Sequence, residues 1–294
     1  MHFLTDTGIP VPAVDAHAMR EVDRVAVEAF GVDILQMMEN AGRALSKHAL
    51  FLRGTASGPV VIVAGGGNNG GGGLCCARHL HNRDIPIQVI LDRPPSALHA
   101  LAQHQWYTLE KAGYTPISPE KGATVLNKAA VIVDALIGYG LQGPPRQPAA
   151  TLITQMNQSG RPILSLDVPS VLRTDVAVPE HSWVHAQRVL TLALPKPALR
   201  YVDGDLPGRY WHPAGSVRAS WPGLYIAVWP RRLGEIGMDM SLLVKMGQCM
   251  SKSKACGLPP GRKSITMCSR IDKPNTLHKI EMMCANFPKG GTWQ

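Results

Sequence analysis

Aromatic residues make up only 5% of this 294-residue chain, and no aromatic pattern supports base stacking on a nucleic-acid surface. Long hydrophobic runs are also missing: none reaches the roughly 18 residues that a membrane helix needs. The opening segment MHFLTDTGIPVPAVDAHAMR lacks a basic stretch followed by an apolar one, so no secretory leader is expected and the cytoplasm is the expected location. The six cysteines form no C-x-x-C pair and have no companion histidine pair, which argues against a zinc cluster and for reduced thiols. Acidic residues are short in one region only. Residues 1–208 hold 17 Lys/Arg and 17 Asp/Glu, whereas residues 209–294 hold 13 and 4, the whole of the net +9. The basic character therefore says nothing about the partner of the first two thirds, and nucleic acid is not expected.

What is present is a globular composition, 45% apolar, with a repeating order. Two amphipathic helices are predicted first, over AHAMREVDRVAVEAFGV and ILQMMENAGRALSKHALFLR. Short apolar runs then alternate with helical stretches. PVVIVAG, IPIQVILD, Lys128–Leu136, RPILSLDVP and HAQRVLTLAL read as strands; LCCARHLHNR, ALHALAQHQWYTLEKAG and AATLITQMNQSG read as helices. Such alternation predicts βαβ units and a parallel sheet covered on both faces. The expected fold is α/β, a three-layer αβα sandwich with a Rossmann-like, mostly parallel sheet, and the two N-terminal helices added to one side. The domain is expected over residues 1–210. From about Trp211 no sustained period of 3.6 or 2 remains, and 211–294 reads as an atypical basic tail: disordered, produced by a shifted frame, fused, or a genuine appendage.

The densest signal is VVIVAGGGNNGGGGLCCARHL, where a strand leads through glycines into a helix. In an open α/β sheet, ligands bind beyond the carboxyl ends of the strands. Glycines there permit positive φ and close approach of phosphates to backbone N–H groups, and the following helix N-terminus favours an anion. Gly65, Gly67 and Gly70 match G-x-G-x-x-G, and Asp92 stands where an acid would meet a ribose. No G-K-[ST] follows, which excludes a P-loop. Two more strand ends carry chemistry: Asp134 before the loop GYGLQGPPR, and Asp167 with Ser170 in ILSLDVPS. Each acid alone is as well explained by a cap or turn; together at strand ends they point to a site.

Four segments in order, MREVDRVAVEAFG…MMENAGRA, VIVAGGGNNGGGGLCCARHL, VDALIGYGLQGPPRQP and ILSLDVPS, resemble the YjeF N-terminal domain family, as does LALPKPAL. The resemblance spans roughly Met19 to Pro207. It implies epimerisation of the R and S forms of hydrated NADH and NADPH (NADHX and NADPHX), with a potassium ion bound and a separate dehydratase acting in the same repair pathway. Carried over by position, Asn68, Asn69, Gly70, Gly71 and Gly72, then Gly138, Tyr139, Gly140, Leu141, Gln142, Gly143 and Pro144, would contact the dinucleotide, as would Asp167. Asn69, Asp134 and Ser170 would give the potassium its oxygen ligands. Asp167 is the expected acid/base and Lys196 a second candidate. A homodimer is compatible with this reading.

The chain departs from the family pattern in three places. Gly72 stands where an aspartate is common, Val171 replaces a glycine after Ser170, and Tyr139 occupies a position usually held by a small residue. Gly72 and Val171 keep an alternative open, a nucleotide-binding module that has lost turnover. An ordinary NAD-dependent dehydrogenase fits less well, because no hydride-transfer histidine or substrate arginine stands out.

Overall fold

A computed structural model of the protein describes residues 2–4, 10–141, 143–172, 183–199, 217–218 and 224–227. All lie in the first of two units, Met1–Gln248; the second, Cys249–Gln294, falls outside the described residues. Two short strands, β1 (His2–Leu4) and β2 (Pro10–Pro12), precede helices α1 (Ala16–Phe30) and α2 (Ile34–Arg53). Local chemistry sets both helices' ends. The Asp15 carboxylate accepts from Ala18 N at 2.8 Å, and Gly31 closes α1 at φ 65°. Asp33 and Gln36 form a capping box on α2.

The alternation then follows the order expected: β3 (Val60–Ala64), α3 (Asn68–His81), β4 (Ile87–Leu91), α4 (Ala100–Lys111), a short α5 (Gly122–Leu126), β5 (Val131–Ala135), α6 (Ala149–Gln158), β6 (Ile163–Leu166) and β7 (Arg188–Leu192). Strands β8 (Val217–Arg218) and β9 (Leu224–Ala227) come last. The main sheet has six strands in the order β4-β3-β5-β6-β7-β9, every neighbouring pair parallel. A smaller sheet joins β2, β1 and β8.

The sheet is buried on both sides, which is why its strands are mostly apolar rather than alternating. Val60, Ile62 and Ala64 pack with α2, α3 and α4 through Leu45, Leu74 and Trp106. Val61, Val63 and Ile132 face the other layer, α5 and α6, through Leu126, Leu152 and Met156. This is the expected three-layer αβα sandwich. Two differences stand out. Helix α3 begins at Asn68, inside the predicted glycine loop, and the sheet gains β9 in a stretch where periodicity shows no strand. Among the described residues no helix is long and apolar enough to cross a membrane.

Candidate active site

The strand order reverses between β3 and β5, since β4 lies on one side of β3 and all later strands on the other. In doubly wound sheets that reversal opens a crevice at the strands' carboxyl ends. A cleft of about 1780 Å³ lies there, large enough for a ligand longer than a drug-sized molecule. The ends of β3, β4, β5, β6 and β7 all contribute to its wall, as do α1 and α2.

The glycines after β3 serve packing first. The positive φ expected of them is not used: none between Gly65 and Gly73 adopts it. Instead the backbones touch. A Cβ on Gly65 would lie 2.0 Å from the Leu136 carbonyl oxygen, and one on Gly70 would lie 1.7 Å from the Gly65 oxygen. A Cβ on Gly71 would meet the Met38 thioether, and one on Gly73 would lie 2.4 Å from Ala135 Cβ. Bare backbone thus lets α3 sit directly on β5 and the start of its loop. The N-cap Gly67 supplies no side-chain acceptor, and Asn68, Asn69 and Gly72 border the cleft beside it. Gly70 and Gly71 are turned into the packing.

From the β5 loop, Gly138, Tyr139, Gly140, Leu141 and Pro144 border the cleft. Gly143, at φ 75°, is not among the residues of that wall, and Gln142 lies outside the described residues. Beneath them Asp134 is fully buried. Its carboxylate accepts from Ser165 Oγ at 2.7 Å, Ser170 N at 2.9 Å and Ser170 Oγ at 2.5 Å. Burial pushes its pKa up, against those hydrogen bonds. Ser170 Oγ also accepts from Ile137 N at 2.9 Å, so one hydroxyl ties the β5 and β6 loops together. Asn69 packs against Gly138, and its Nδ2 has no hydrogen-bond partner among the described residues.

Asp167 ends β6 at φ 71°, a conformation aspartate tolerates better than most residues. Its side chain and that of Lys196 are 4% and 5% exposed, so both ions are desolvated and each is the other's neutralising partner. Lys196 Nζ donates to Asp167 Oδ1 and, at 2.8 Å, to the Leu192 carbonyl. It lies 5.4 Å from the Tyr139 ring centroid, within cation–π range. Tyr139 N donates to Asp167 Oδ2 at 3.3 Å, and its hydroxyl donates to Asp23 Oδ2 on α1 at 2.9 Å. Burial raises the Asp23 carboxyl above its ordinary value, with the Tyr139 hydrogen bond opposing. Tyr139 is thus a brace between α1 and the β5 loop.

Asp23 escaped the sequence reading, although a signal exists. It stands four residues after Met19 and three before Ala26, within the buried stripe of α1, where a carboxylate needs a partner. Arg93 was missed too. It borders the cleft beside Asp92 and binds both oxygens of that acid at 2.8 Å.

Away from the cleft, Glu39, Cys75 and His79 offer ligand atoms within 4.8 Å of one another. The Arg78 guanidinium already holds the Glu39 carboxylate, and burial pushes the Cys75 thiol up to about 12. The group is a hydrogen-bonded bridge between α2 and α3. Cys75 and Cys76 are free and buried; the other four cysteines lie outside the described residues.

The family model described as YjeF-related protein N-terminus matches residues 34–198. An NAD(P)H-hydrate epimerase of Dehalogenimonas lykanthroporepellens is 40% identical over 205 residues, covering 68% of this chain and 81% of its own length. A bifunctional NAD(P)H-hydrate repair enzyme of Hyperthermus butylicus is 34% identical over 199 residues, 66% of this chain but 35% of that larger protein. The crystal structure of the yeast protein ynu0 superposes with a TM-score of 0.58 at 25% identity, covering 65% of this chain and 84% of the yeast chain.

Proposed function

The chain belongs to the family of YjeF-related protein N-termini, and on that premise we propose that it interconverts the R and S forms of hydrated NADH and NADPH. The bifunctional relatives support a dehydratase as the next step of the same repair sequence. The observation that carries the reading is the buried Asp167–Lys196 pair at the wall of a dinucleotide-sized cleft.

Epimerising a hydrated ring carbon requires loss and re-addition at that centre, or ring opening and closure. Either route moves a proton to and from the substrate, and a carboxylate paired with an ammonium can do both. Asp167 is the base in this reading, and Lys196, which donates to it, returns the proton. Tyr139, fastened to Asp23, keeps the backbone N–H that orients Asp167. The N-terminus of α3, with Asn68 and Asn69, suits the pyrophosphate.

Potassium belongs to the same proposal. Asp134 is a buried carboxylate whose described hydrogen-bond donors are all neutral, so a cation beside it would offset its desolvation. Hydroxyl, carboxylate and amide oxygens suit a hard ion, and Ser170, Asp134 and Asn69 supply them from the β6 loop, the end of β5 and the start of α3. Bound there, the ion would contribute positive charge and stiffness near the ring. Asp134 and Ser170 hold the β5 and β6 loops in register whether or not an ion is present.

The test is equilibration of the R form of hydrated NADPH toward S, followed by chromatography. The protein should outpace the buffer blank, and Asp167→Ala should lose about 100-fold or more of the rate. The alternative, a binding module without turnover, is favoured by Gly72, which borders the cleft without a carboxylate. It predicts equilibration no faster than the blank while ADP-ribose still binds.

A further inference from the structure

The proposed reading leaves open which dinucleotide the cleft prefers, and Arg93 addresses that choice. In the first βαβ unit of a dinucleotide fold, the adenosine ribose lies between the loop after the first strand and the end of the second. An acid at that second strand end accepts from the 2′-hydroxyl, whereas a neighbouring arginine accommodates a 2′-phosphate. Here the unit is β3-α3-β4, and both residue types are present as Asp92 and Arg93.

Their arrangement separates the roles. The Asp92 side chain is 7% exposed, and its two oxygens accept from Arg93 Nε and Nη2, each at 2.8 Å. The acid is therefore engaged in holding the guanidinium. The arginine side chain is 42% exposed and borders the cleft. Two of its five N–H groups face Asp92, which leaves Nη1 and one hydrogen of Nη2 directed elsewhere. Its stem crosses the bare backbone of Gly66, where a Cβ would lie 2.6 Å from Arg93 Cδ. The glycine thus admits the arginine to the mouth of the β3 loop, beside the helix end that suits the pyrophosphate.

Resting on the repair reading above, we infer that Arg93, fixed by Asp92, is a specificity residue that binds the 2′-phosphate of the adenosine ribose and makes the 2′-phosphorylated dinucleotide the preferred substrate. A guanidinium held on one side by a carboxylate presents its remaining donors in a fixed fork, the geometry that suits a phosphate.

The test compares 2′-phospho-ADP-ribose with ADP-ribose by isothermal titration against the full chain. Neither probe carries the nicotinamide ring, so turnover does not enter. The wild-type protein should bind the 2′-phosphate compound at least about tenfold more tightly, as expected of a charged hydrogen-bonded pair. Arg93→Gln should bring the ratio below about threefold, chiefly by weakening the 2′-phosphate compound. Arg93→Lys, which keeps the charge and loses the fork, should fall between. Equal affinities in the wild type overturn the assignment while leaving the repair reading in place. A preference that survives in Arg93→Gln overturns it in the same way. If neither compound binds, both readings fail. The wild-type ratio needs no variant, so a folding defect at position 93 cannot mask the result.

Discussion

Val171 holds φ 74° while 4% exposed, inside the cluster that covers one face of the sheet. A β-branched side chain in the left-handed region is sterically costly, by about 1–2 kcal/mol. The turn it occupies carries Ser170, whose hydroxyl and N–H both bind Asp134, so the backbone there is fixed by the buried network. The methyl groups recover part of the cost through burial, which explains how a valine is accommodated at a positive φ. The two contributions can be separated by experiment. At Val168, which is equally buried without positive φ, alanine should be more stable than glycine by about 0.5–1 kcal/mol. At Val171 the order should reverse, with Val171→Gly more stable than Val171→Ala by about 1 kcal/mol in urea titrations. The same order at both positions would mean that the turn relaxes and stores no strain.

At the scale of elements, helix α3 decides the shape of the cleft. Four of its first six residues are glycine, a composition that costs helix propensity. Compensation comes from contact: Leu74, Cys76, Ala77 and Leu80 are fully buried further along the helix. The sequence shows that something needs naked backbone there, and suggests a ligand. The structure gives a nearer cause, the carbonyls of Gly65 and Leu136 lying where side chains would be. That cause was not legible, because contact between β3 and β5 loops seventy residues apart leaves no local period. The two positions at the helix start should therefore respond differently to one methyl. Gly70→Ala drives a Cβ onto a backbone oxygen and should cost about 3 kcal/mol or more, or prevent folding. Gly67→Ala meets nothing within 4 Å and should cost about 1 kcal/mol or less as an N-cap change. Chemical denaturation of the pair checks this, and equal losses would move the origin of the glycine run back to the ligand.

Across the whole molecule, the five central strands were readable because each is a short, mostly apolar run flanked by turn residues, as burial on both faces dictates. Asp134, Asp167 and Ser170 were readable as strand-end residues, and the structure ties Ser170 to Asp134. Asp23 and Arg93 were not, since both owe their place to partners or backbone that the chain's order does not advertise. The far edge of the sheet was the other gap. Strand β9 is four residues long and lies in a region without periodicity, yet pairs in parallel with Val189–Leu192. A boundary at residue 210 would leave β7 as an open edge beside the Asp167–Lys196 pair, since the Leu192 carbonyl at the end of β7 accepts from Lys196 Nζ. Chains ended at 210 and at 248 therefore form a direct comparison. The shorter should unfold at lower urea with a smaller dependence on denaturant, because it buries less surface. It should also bind ADP-ribose more weakly, as β7 loses the neighbour that fixes the end from which Lys196 is held. Identical midpoints and slopes would show that β9 adds nothing to the sheet, and that the domain closes at 210 as its composition suggests.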